Sequence, residues 1–451
     1  MPFDKEKFAH FAKRIPPPFR LAAGLAMMIA FGSAILTLPG IAVSGRLSLN
    51  EAFFTATSAL TVTGLTIITP GSDLTLFGQI VLLILIQTGG VGFMVIAVML
   101  FQLIGRSISF TNRITLRDSF GLLDLHAIVH LTRKVVAVVF TIELIGAFFL
   151  WLNWRSLYGE RAAFYALFHA VSAFCNAGFD LFTGTPGHTG GIPTDNFTLL
   201  IFGVLIVIGG MGIPVITDLV IWPKRRRLSL HARLTLSVSL VLVLLGWLGL
   251  FLAETGQSGA LVEEPIFRAA SLSLFQSISA RTAGFTAIET FENLTPASQL
   301  LKIMLMFIGT APASMGGGIT TGTFTVLILA LWAYARGRKS PHIFGRSIGD
   351  FTVRRASAVL TISLTVIVGA TWLLLITHPD AVLDKVIFEV VSAFATCGLS
   401  LEYTSKFGLL GQGIIAFVMF WGRLGALTII LALGKLVPSS NIQYPEEKIL
   451  I

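Results

Sequence analysis

The chain has 451 residues, of which 54% are hydrophobic and only 12% charged, and its formal net charge is +9. A soluble domain carries about 25% charged residues, so this composition, with a mean hydropathy of +0.84, excludes a soluble globular protein and describes a polytopic membrane protein. The positive balance needs no nucleic-acid partner, because basic loops on the cytoplasmic face of a membrane account for it.

Residues 1–20 are polar and basic, with Pro16-Pro17-Pro18 stopping any early helix. They read as a cytoplasmic tail and not as a cleavable signal, since the apolar run that follows reaches the roughly 20 residues of a full span. That run, near 20–42, opens a first unit (21–130). A short apolar segment, Phe54–Leu65, comes next and ends in Thr61-Val62-Thr63-Gly64-Leu65. The second span of the unit, near 76–104, carries Gly89-Gly90-Val91-Gly92. A cytoplasmic linker, 106–130, closes the unit, with a short surface helix expected over Leu122–Val129.

The order span, short segment, span then recurs. The second unit (131–231) has spans near 131–154 and 197–222, with Cys175-Asn176-Ala177-Gly178-Phe179 ending the segment between them. His169 on that segment reads as a packed histidine. The second span carries Gly209-Gly210-Met211-Gly212 and then Pro214, which is expected to kink it. In the third unit (232–350) the spans lie near 233–253 and 298–334, and the segment ends in Arg281-Thr282-Ala283-Gly284-Phe285. Arg281 is expected to turn away from any cation path and to be paired, with Glu289 and Glu292 as candidates. The span after it contains Gly309, Ala313, Ser314, Met315, Gly316, Gly317, Gly318 and Thr320 around Pro312. Glycine costs about 1 kcal/mol and proline about 3 in a helix interior, so this span is predicted to break into two helices with a loop inside the membrane. A small-residue packing face is the alternative, but it does not fit Pro312 followed by three consecutive glycines. The fourth unit (351–451) has spans near 357–377 and 408–436, the segment ending Ala395-Thr396-Cys397-Gly398-Leu399, and Arg423 inside Gly422-Arg423-Leu424-Gly425.

The segment glycines fall at 64, 178, 284 and 398, intervals of 114, 106 and 114 residues. A near-constant period means one unit repeated. The expected fold is therefore all-α and polytopic: four pseudo-symmetric helix–pore loop–helix repeats, eight spans and four re-entrant loops around one central pore. Of the 32 Lys and Arg, 23 lie in five segments on one side of that arrangement. This marks that side as cytoplasmic and puts both termini inside. Non-helical backbone at membrane depth is tolerated only within protein or beside water. Four glycine-terminated segments around an axis would give rings of carbonyls able to replace the hydration shell of a monovalent cation, each helix C-terminus adding its negative dipole end. The four glycine clusters align without gaps, and Arg423 takes the place of Gly90, Gly210 and Gly316. Those glycines are expected to face the axis, and Arg423 to lie in the aqueous path or on carbonyls of the loop in the third repeat. Cys175 and Cys397 sit at different offsets before their glycines, so no disulfide is expected.

The four phased motifs resemble the potassium-translocating subunits of the Ktr/Trk/HKT superfamily, the KtrB branch in particular. The likeness covers essentially the whole chain and extends to the closing Asn441-Ile442-Gln443-Tyr444-Pro445-Glu446-Glu447. The chain begins directly with the first repeat, as KtrB does. The resemblance implies a K⁺ filter at Thr61–Gly64, Cys175–Gly178, Thr282–Gly284 and Ala395–Gly398, and a gate formed by the broken third-repeat span and Arg423. It further implies K⁺ as the transported ion with room for Na⁺ assistance, and no organic cofactor. The implied partners are a second copy in a homodimer, a cytoplasmic nucleotide-binding regulatory subunit of the KtrA type, and the lipids of a bacterial cytoplasmic membrane. Enzyme motifs are missing from the sequence. The competing readings are a membrane enzyme acting on lipid, which would need a convergent acid/base or metal cluster, and a secondary transporter of another small cation or solute.

Overall fold

The computed structural model describes residues 17–92, 128–185, 191–288, 291–312, 314–338 and 340–425. The start of the N-terminal tail, most of the linker with its expected surface helix, the inner ends of the spans at 76–104 and 408–436, the C-terminal tail, Ala313 and Glu289 lie outside the described residues.

The described chain is helical, apart from one hairpin in which His342–Ile343 pairs with Arg346–Ser347. The helices, in order, are α1 (Pro17–Leu36), α2 (Leu49–Thr61), α3 (Leu76–Val91), α4 (Ile128–Tyr158), α5 (Ala162–Phe174), α6 (Asn196–Gly210), α7 (Ile213–Arg225), α8 (Leu230–Glu254), α9 (Ile266–Ser279), α10 (Pro296–Phe307), α11 (Thr321–Ala335), α12 (Asp350–Thr377), α13 (Leu383–Phe394) and α14 (Leu409–Leu424). Helix starts follow sequence chemistry. Pro17 and Pro18 open α1, where a missing N–H costs nothing, and Ser48 with Glu51 forms a capping box at α2. Thr75, Asp195, Ser229, Thr295 and Thr320 cap α3, α6, α8, α10 and α11 through their side chains.

Four short helices, α2, α5, α9 and α13, form the buried centre, and everything else packs around them. Every residue from Phe54 to Thr61, from Phe168 to Phe174 and from Phe388 to Phe394 is buried. A long helix leads into each one: α1 packs on α2, α4 on α5, α8 on α9 and α12 on α13. The helix following each short one packs on the next short helix along the chain. Thus α3 meets α5, α6 meets α9, α10 meets α13, and α14 returns to α2. The last of these contacts closes the set.

Among the described residues three helical stretches are long and apolar enough to cross a membrane: Val136–Phe174, Leu230–Glu254 and Asp350–Thr377. The pair Asn196–Gly210 and Pro214–Pro223 also qualifies, but it bends by 102° at its break. The sequence led us to expect a break only in the third unit and a kink at Pro214. Instead, three more of the helices that follow a short segment stop at closely matching positions: α3 at Val91, α6 at Gly210 and α14 at Leu424, while α10 already stops at Phe307. Gly92, Gly212 and Gly425, just past the first three, have φ of +85°, +80° and +75°. In the third unit residues 308–320 are non-helical, and Gly318 has φ +75°. Pro214 does not kink a continuous helix; it lies in the first turn of the new helix α7.

Close backbone contact explains part of this glycine pattern. A Cβ at Gly89, Gly209 or Gly422 would run into the carbonyl of Leu60, Phe174 or Phe394, each four residues before a segment glycine. Association in a bilayer gains nothing from burying apolar surface, so it rests on close packing of this kind and on hydrogen bonds. Gly209→Ala is therefore expected to lower the melting temperature of the purified protein, by the equivalent of about 1–3 kcal/mol of overpacking. A Cβ at Gly369, inside α12, meets nothing within 4 Å, so Gly369→Ala should raise it, by about 0.5–1 kcal/mol of helix preference. Equal shifts for the two substitutions would show that Gly209 is not a packing contact.

Candidate functional site

Each short helix ends in the same local structure. Val62, Asn176, Thr282 and Thr396 all have positive φ, between +46° and +64°, two residues before the segment glycine. In the first, second and fourth segments two amides close the helix in Schellman fashion. For α2, the Val62 amide donates to the Ala59 carbonyl at 3.1 Å and the Thr63 amide to the Ser58 carbonyl at 2.8 Å. The glycine is therefore not the helix cap; the residue two places earlier is. Three of these cap residues are β-branched, for which positive φ is a real outlier and costs roughly 1–3 kcal/mol. The same costly conformation in four places marks a geometry the protein has to keep.

The glycines themselves form a closed set. A Cβ on Gly64 would come within 3.0 Å of the Gly178 Cα, one on Gly178 within 3.1 Å of Gly284, one on Gly284 within 3.1 Å of Gly398, and one on Gly398 within 3.2 Å of Gly64. Their φ values are +89°, +69°, +78° and +93°. The Gly64, Gly284 and Gly398 Cβ positions also fall on the carbonyl oxygens of Ala177, Cys397 and Thr63, whereas at Gly178 the nearest oxygen, on Ala283, is 3.0 Å away. The space taken by a side chain elsewhere is here taken by the neighbouring segment's backbone.

Serines that the sequence reading passed over hold these strands. Gly64 N–H donates to Ser58 Oγ at 3.0 Å and Gly398 N–H to Ser392 Oγ at 3.1 Å. Ser172 Oγ donates to the Phe179 carbonyl at 2.7 Å and Ser279 Oγ to the Phe285 carbonyl at 2.6 Å. A Ser-Ala dipeptide in all four segments was the available signal. Two of the outer loops are anchored as well. His169 Nε2 accepts the Leu181 N–H at 3.2 Å, its ring stacked on Phe182, and Glu389 Oε1 accepts the Leu401 N–H at 2.9 Å.

On one side of the glycines a cavity of about 360 Å³ is lined by all four of them and by Asp180 and Glu402, carboxylates absent from the sequence-based set. At the cap positions Asn176 Oδ1 and Nδ2, Thr282 Oγ1 and Thr396 Oγ1 are buried without a hydrogen-bond partner. Gly316 packs against Thr282 and Gly317 against Thr396, so the non-helical segment 308–320 lies directly beneath these side chains. Thr61, Cys175 and Ala395, expected as part of the ion path, lie at the ends of their helices. Cys175 Sγ lies beside Gln87 Oε1 at 3.6 Å and Glu143 Oε1 at 3.7 Å. Cys175 and Cys397 are both free and buried.

The segment 308–320 is tied to its neighbours mainly through backbone. Ala311 N–H donates to the Gly210 carbonyl at 3.1 Å, Met315 N–H to Gly209 at 3.2 Å and Thr321 N–H to Thr310 at 3.0 Å. Arg423 donates through Nη1 to the Met315 carbonyl at 2.6 Å and through Nη2 to the Gly89 and Gly90 carbonyls. The guanidinium thus joins the segment to the end of α3. Two loop hydroxyls are engaged locally: Ser314 Oγ pairs with Thr310 Oγ1, and Thr320 caps α11.

Two further expectations change. Gly90, Gly210 and Gly316 do not face an open axis. A Cβ at Gly90 or Gly316 would run into the Cys175 or Thr282 side chain, and one at Gly210 would come within 3.0 Å of Thr310, so neighbouring side chains are what crowd a larger residue. Arg281 does turn away from the glycines, but its guanidinium donates to the carbonyls of Ser239 at 3.2 Å and Gly309 at 3.0 Å. Glu289 and the Glu292 side chain, proposed as its partners, lie outside the described residues.

The serine anchors make an energetic prediction. Ser58→Ala and Ser392→Ala each orphan a half-buried glycine N–H, at about 1 kcal/mol. Gly64 and Gly398 are ring neighbours, so the double variant should show a coupling of about 0.5 kcal/mol or more. Ser58→Ala with Ser279→Ala, on opposite sides, should be additive. Denaturation of the single and double variants in detergent measures both, and additivity in both pairs would mean that the glycines do not act as a unit.

Comparison with known proteins places this architecture. Residues 22–444 match the family model described as TrkH, cation transport protein. The Ktr system potassium uptake protein B of Bacillus subtilis (strain 168) is 35% identical over 450 residues, covering 100% of this chain and 99% of the relative. The potassium/sodium uptake protein NtpJ of Enterococcus hirae is 32% identical, covering 97% and 98%. The crystal structure of the potassium transporter TrkH from Vibrio parahaemolyticus superposes with a TM-score of 0.68 at 20% identity, covering 92% of this chain and 85% of that one.

Proposed function

The chain belongs to the TrkH family of cation transport proteins, and we propose that it carries K⁺ into the cell through the ring formed by Gly64, Gly178, Gly284 and Gly398. As a family of transport proteins and not of enzymes, its members act by lining a path. The single observation that carries the reading is the glycine ring itself, with unpartnered polar atoms of Asn176, Thr282 and Thr396 just beneath it. A partly dehydrated cation needs oxygens in place of its water, and buried polar groups without partners are costly unless something occupies the site.

In this reading four helix–loop–helix repeats, making eight spans, surround one pore. K⁺ collects in the outer cavity beside Asp180 and Glu402, passes the carbonyls at Thr63–Gly64, Ala177–Gly178, Ala283–Gly284 and Cys397–Gly398, and meets the segment 308–320. That segment is the gate, with Arg423 holding it across the path through the Met315 carbonyl while its charge repels K⁺. The segment lacks regular helical hydrogen bonds along its length, so alternative positions should be close in energy. A partner binding one position better than the other would open the path. The relative NtpJ is named as a potassium/sodium uptake protein, which supports Na⁺ assistance here. The system-type name of the Bacillus relative supports a separate regulatory component, which we take to be a nucleotide-binding subunit of the KtrA type under a homodimer. The asymmetry of Lys and Arg supports a multi-pass protein of the bacterial cytoplasmic membrane with both termini inside.

Only one glycine per repeat is present, and the four strands differ in sequence, so K⁺ over Na⁺ discrimination should be weaker than in channels built from four identical TVGYG loops. Gly64→Ser and Gly284→Ser are expected to raise the KM for K⁺ uptake about tenfold, the equivalent of about 1.4 kcal/mol. Gly178→Ala should be the mildest ring substitution, because its Cβ has the most room. Uptake by a K⁺-uptake-deficient bacterial strain, normalised to membrane expression, decides the matter; an unchanged KM in the first two variants removes the filter assignment.

For the gate, deletion of Ala313–Gly318 and the substitution Arg423→Ala should each raise ⁸⁶Rb⁺ flux severalfold in vesicles lacking any regulatory partner. If both proteins insert correctly and flux stays at or below the parent level, 308–320 is a structural break and not a gate.

A further inference from the structure

A second cavity of about 360 Å³ opens sideways between α6 and α8, lined by Val207, Gly210, Leu240, Val243, Arg281 and Thr310 among others. It lies at the end of α6, where the pair Asn196–Gly210 and Pro214–Pro223 bends by 102°. Its mouth faces the lipid side: Leu240 is 59% exposed and Val207 37% exposed. Leu240 lies ten residues into α8, about 15 Å along it, and so near the middle of the bilayer.

The lining is apolar except at its inner end. There Arg281 is 6% exposed, and its two terminal nitrogens are used by the Ser239 and Gly309 carbonyls. Its Nε–H is buried with no partner. A cation held in an apolar cavity by two neutral carbonyls, with no carboxylate partner among its described contacts, is an uncommon arrangement, because buried charges are ordinarily paired and hydrogen-bonded. The guanidinium is also a planar donor set matched to a carboxylate.

We propose that this cavity binds a long-chain amphiphile ending in a carboxylate, a fatty acid that enters sideways from the bilayer. Its carboxylate pairs with the Arg281 guanidinium at the inner end of the cavity, and its chain lies along Val207, Leu240 and Val243. A phospholipid headgroup would have to drag several polar groups past the apolar mouth, whereas a fatty acid carries a single small anion at the end of its chain. Binding here goes beyond the transport reading and does not depend on it.

The test uses the full chain in phosphatidylcholine nanodiscs and palmitic acid carrying a photoreactive diazirine at the far end of its chain. Labelled peptides are mapped by mass spectrometry. Label is expected on α6 and α8, displaced by palmitate at concentrations at least tenfold below those needed for methyl palmitate or hexadecanol. Arg281→Gln should lower labelling about tenfold. Should that variant fail to fold, Leu240→Trp, which blocks the mouth away from the glycine ring, should abolish the same labels. Equal competition by the methyl ester, or unchanged labelling of α6 and α8 in Leu240→Trp, overturns the proposal.

Discussion

Backbone that leaves its helix inside a packed protein must find its hydrogen-bond partners there, and this chain meets that demand four times around one ring of glycines. The solution is local and repeated. A left-handed cap residue turns the chain back, a serine hydroxyl fixes the strand, and a glycine lets the neighbouring strand approach to van der Waals contact. The surrounding helices can be read as the support for that arrangement. Each long helix buries one face of a short helix, and the next helix along buries another.

Two arginines show how the same demand is met where the pattern is broken. Arg281 and Arg423 both place guanidinium groups on main-chain carbonyls, Arg281 on Gly309 outside any helix and on Ser239 inside α8, and Arg423 on Met315 and the end of α3. A guanidinium carries five N–H donors and no acceptor. It can therefore satisfy several stray carbonyls at once, which a lysine would do with less defined geometry. Charge is thus introduced into the apolar interior as a solution to a hydrogen-bonding problem, and any electrostatic effect on a passing ion follows from that placement.

Much of this was legible in the sequence, because the period and the glycine positions survive in one dimension. Gly64, Gly178, Gly284, Gly398 and Arg423 were identified from their phase alone, and the break around Met315–Gly318 from glycine and proline. Other features could not be read so directly. Gly92, Gly212 and Gly425 end their helices by adopting positive φ, and a glycine letter does not say whether it is used for conformation or for packing. Cys175 was placed in the path because it precedes the glycine motif, but a helix end at that residue points its thiol toward Gln87 and Glu143. The partners of Arg281 are main-chain atoms of Ser239 and Gly309, and no side-chain pattern announces a main-chain acceptor. Asp180 and Glu402 reach the cavity through loop geometry that depends on His169 and Glu389, each of which anchors its loop by accepting a backbone N–H.

The closing contact of the glycine ring joins Gly398 to Gly64, residues that are neighbours in space and 334 positions apart in the chain. Arg423 reaches Gly89 over the same sequence separation. During synthesis the first three segments emerge and insert while the fourth is still inside the ribosome. A nascent chain that ends before α13 leaves α2 without its contact on α14 and Gly64 without Gly398 beside it. Contacts of such long range form late, since the loop entropy must be overcome before they contribute. Closure of the ring is thereby tied to the last part of the chain to be made.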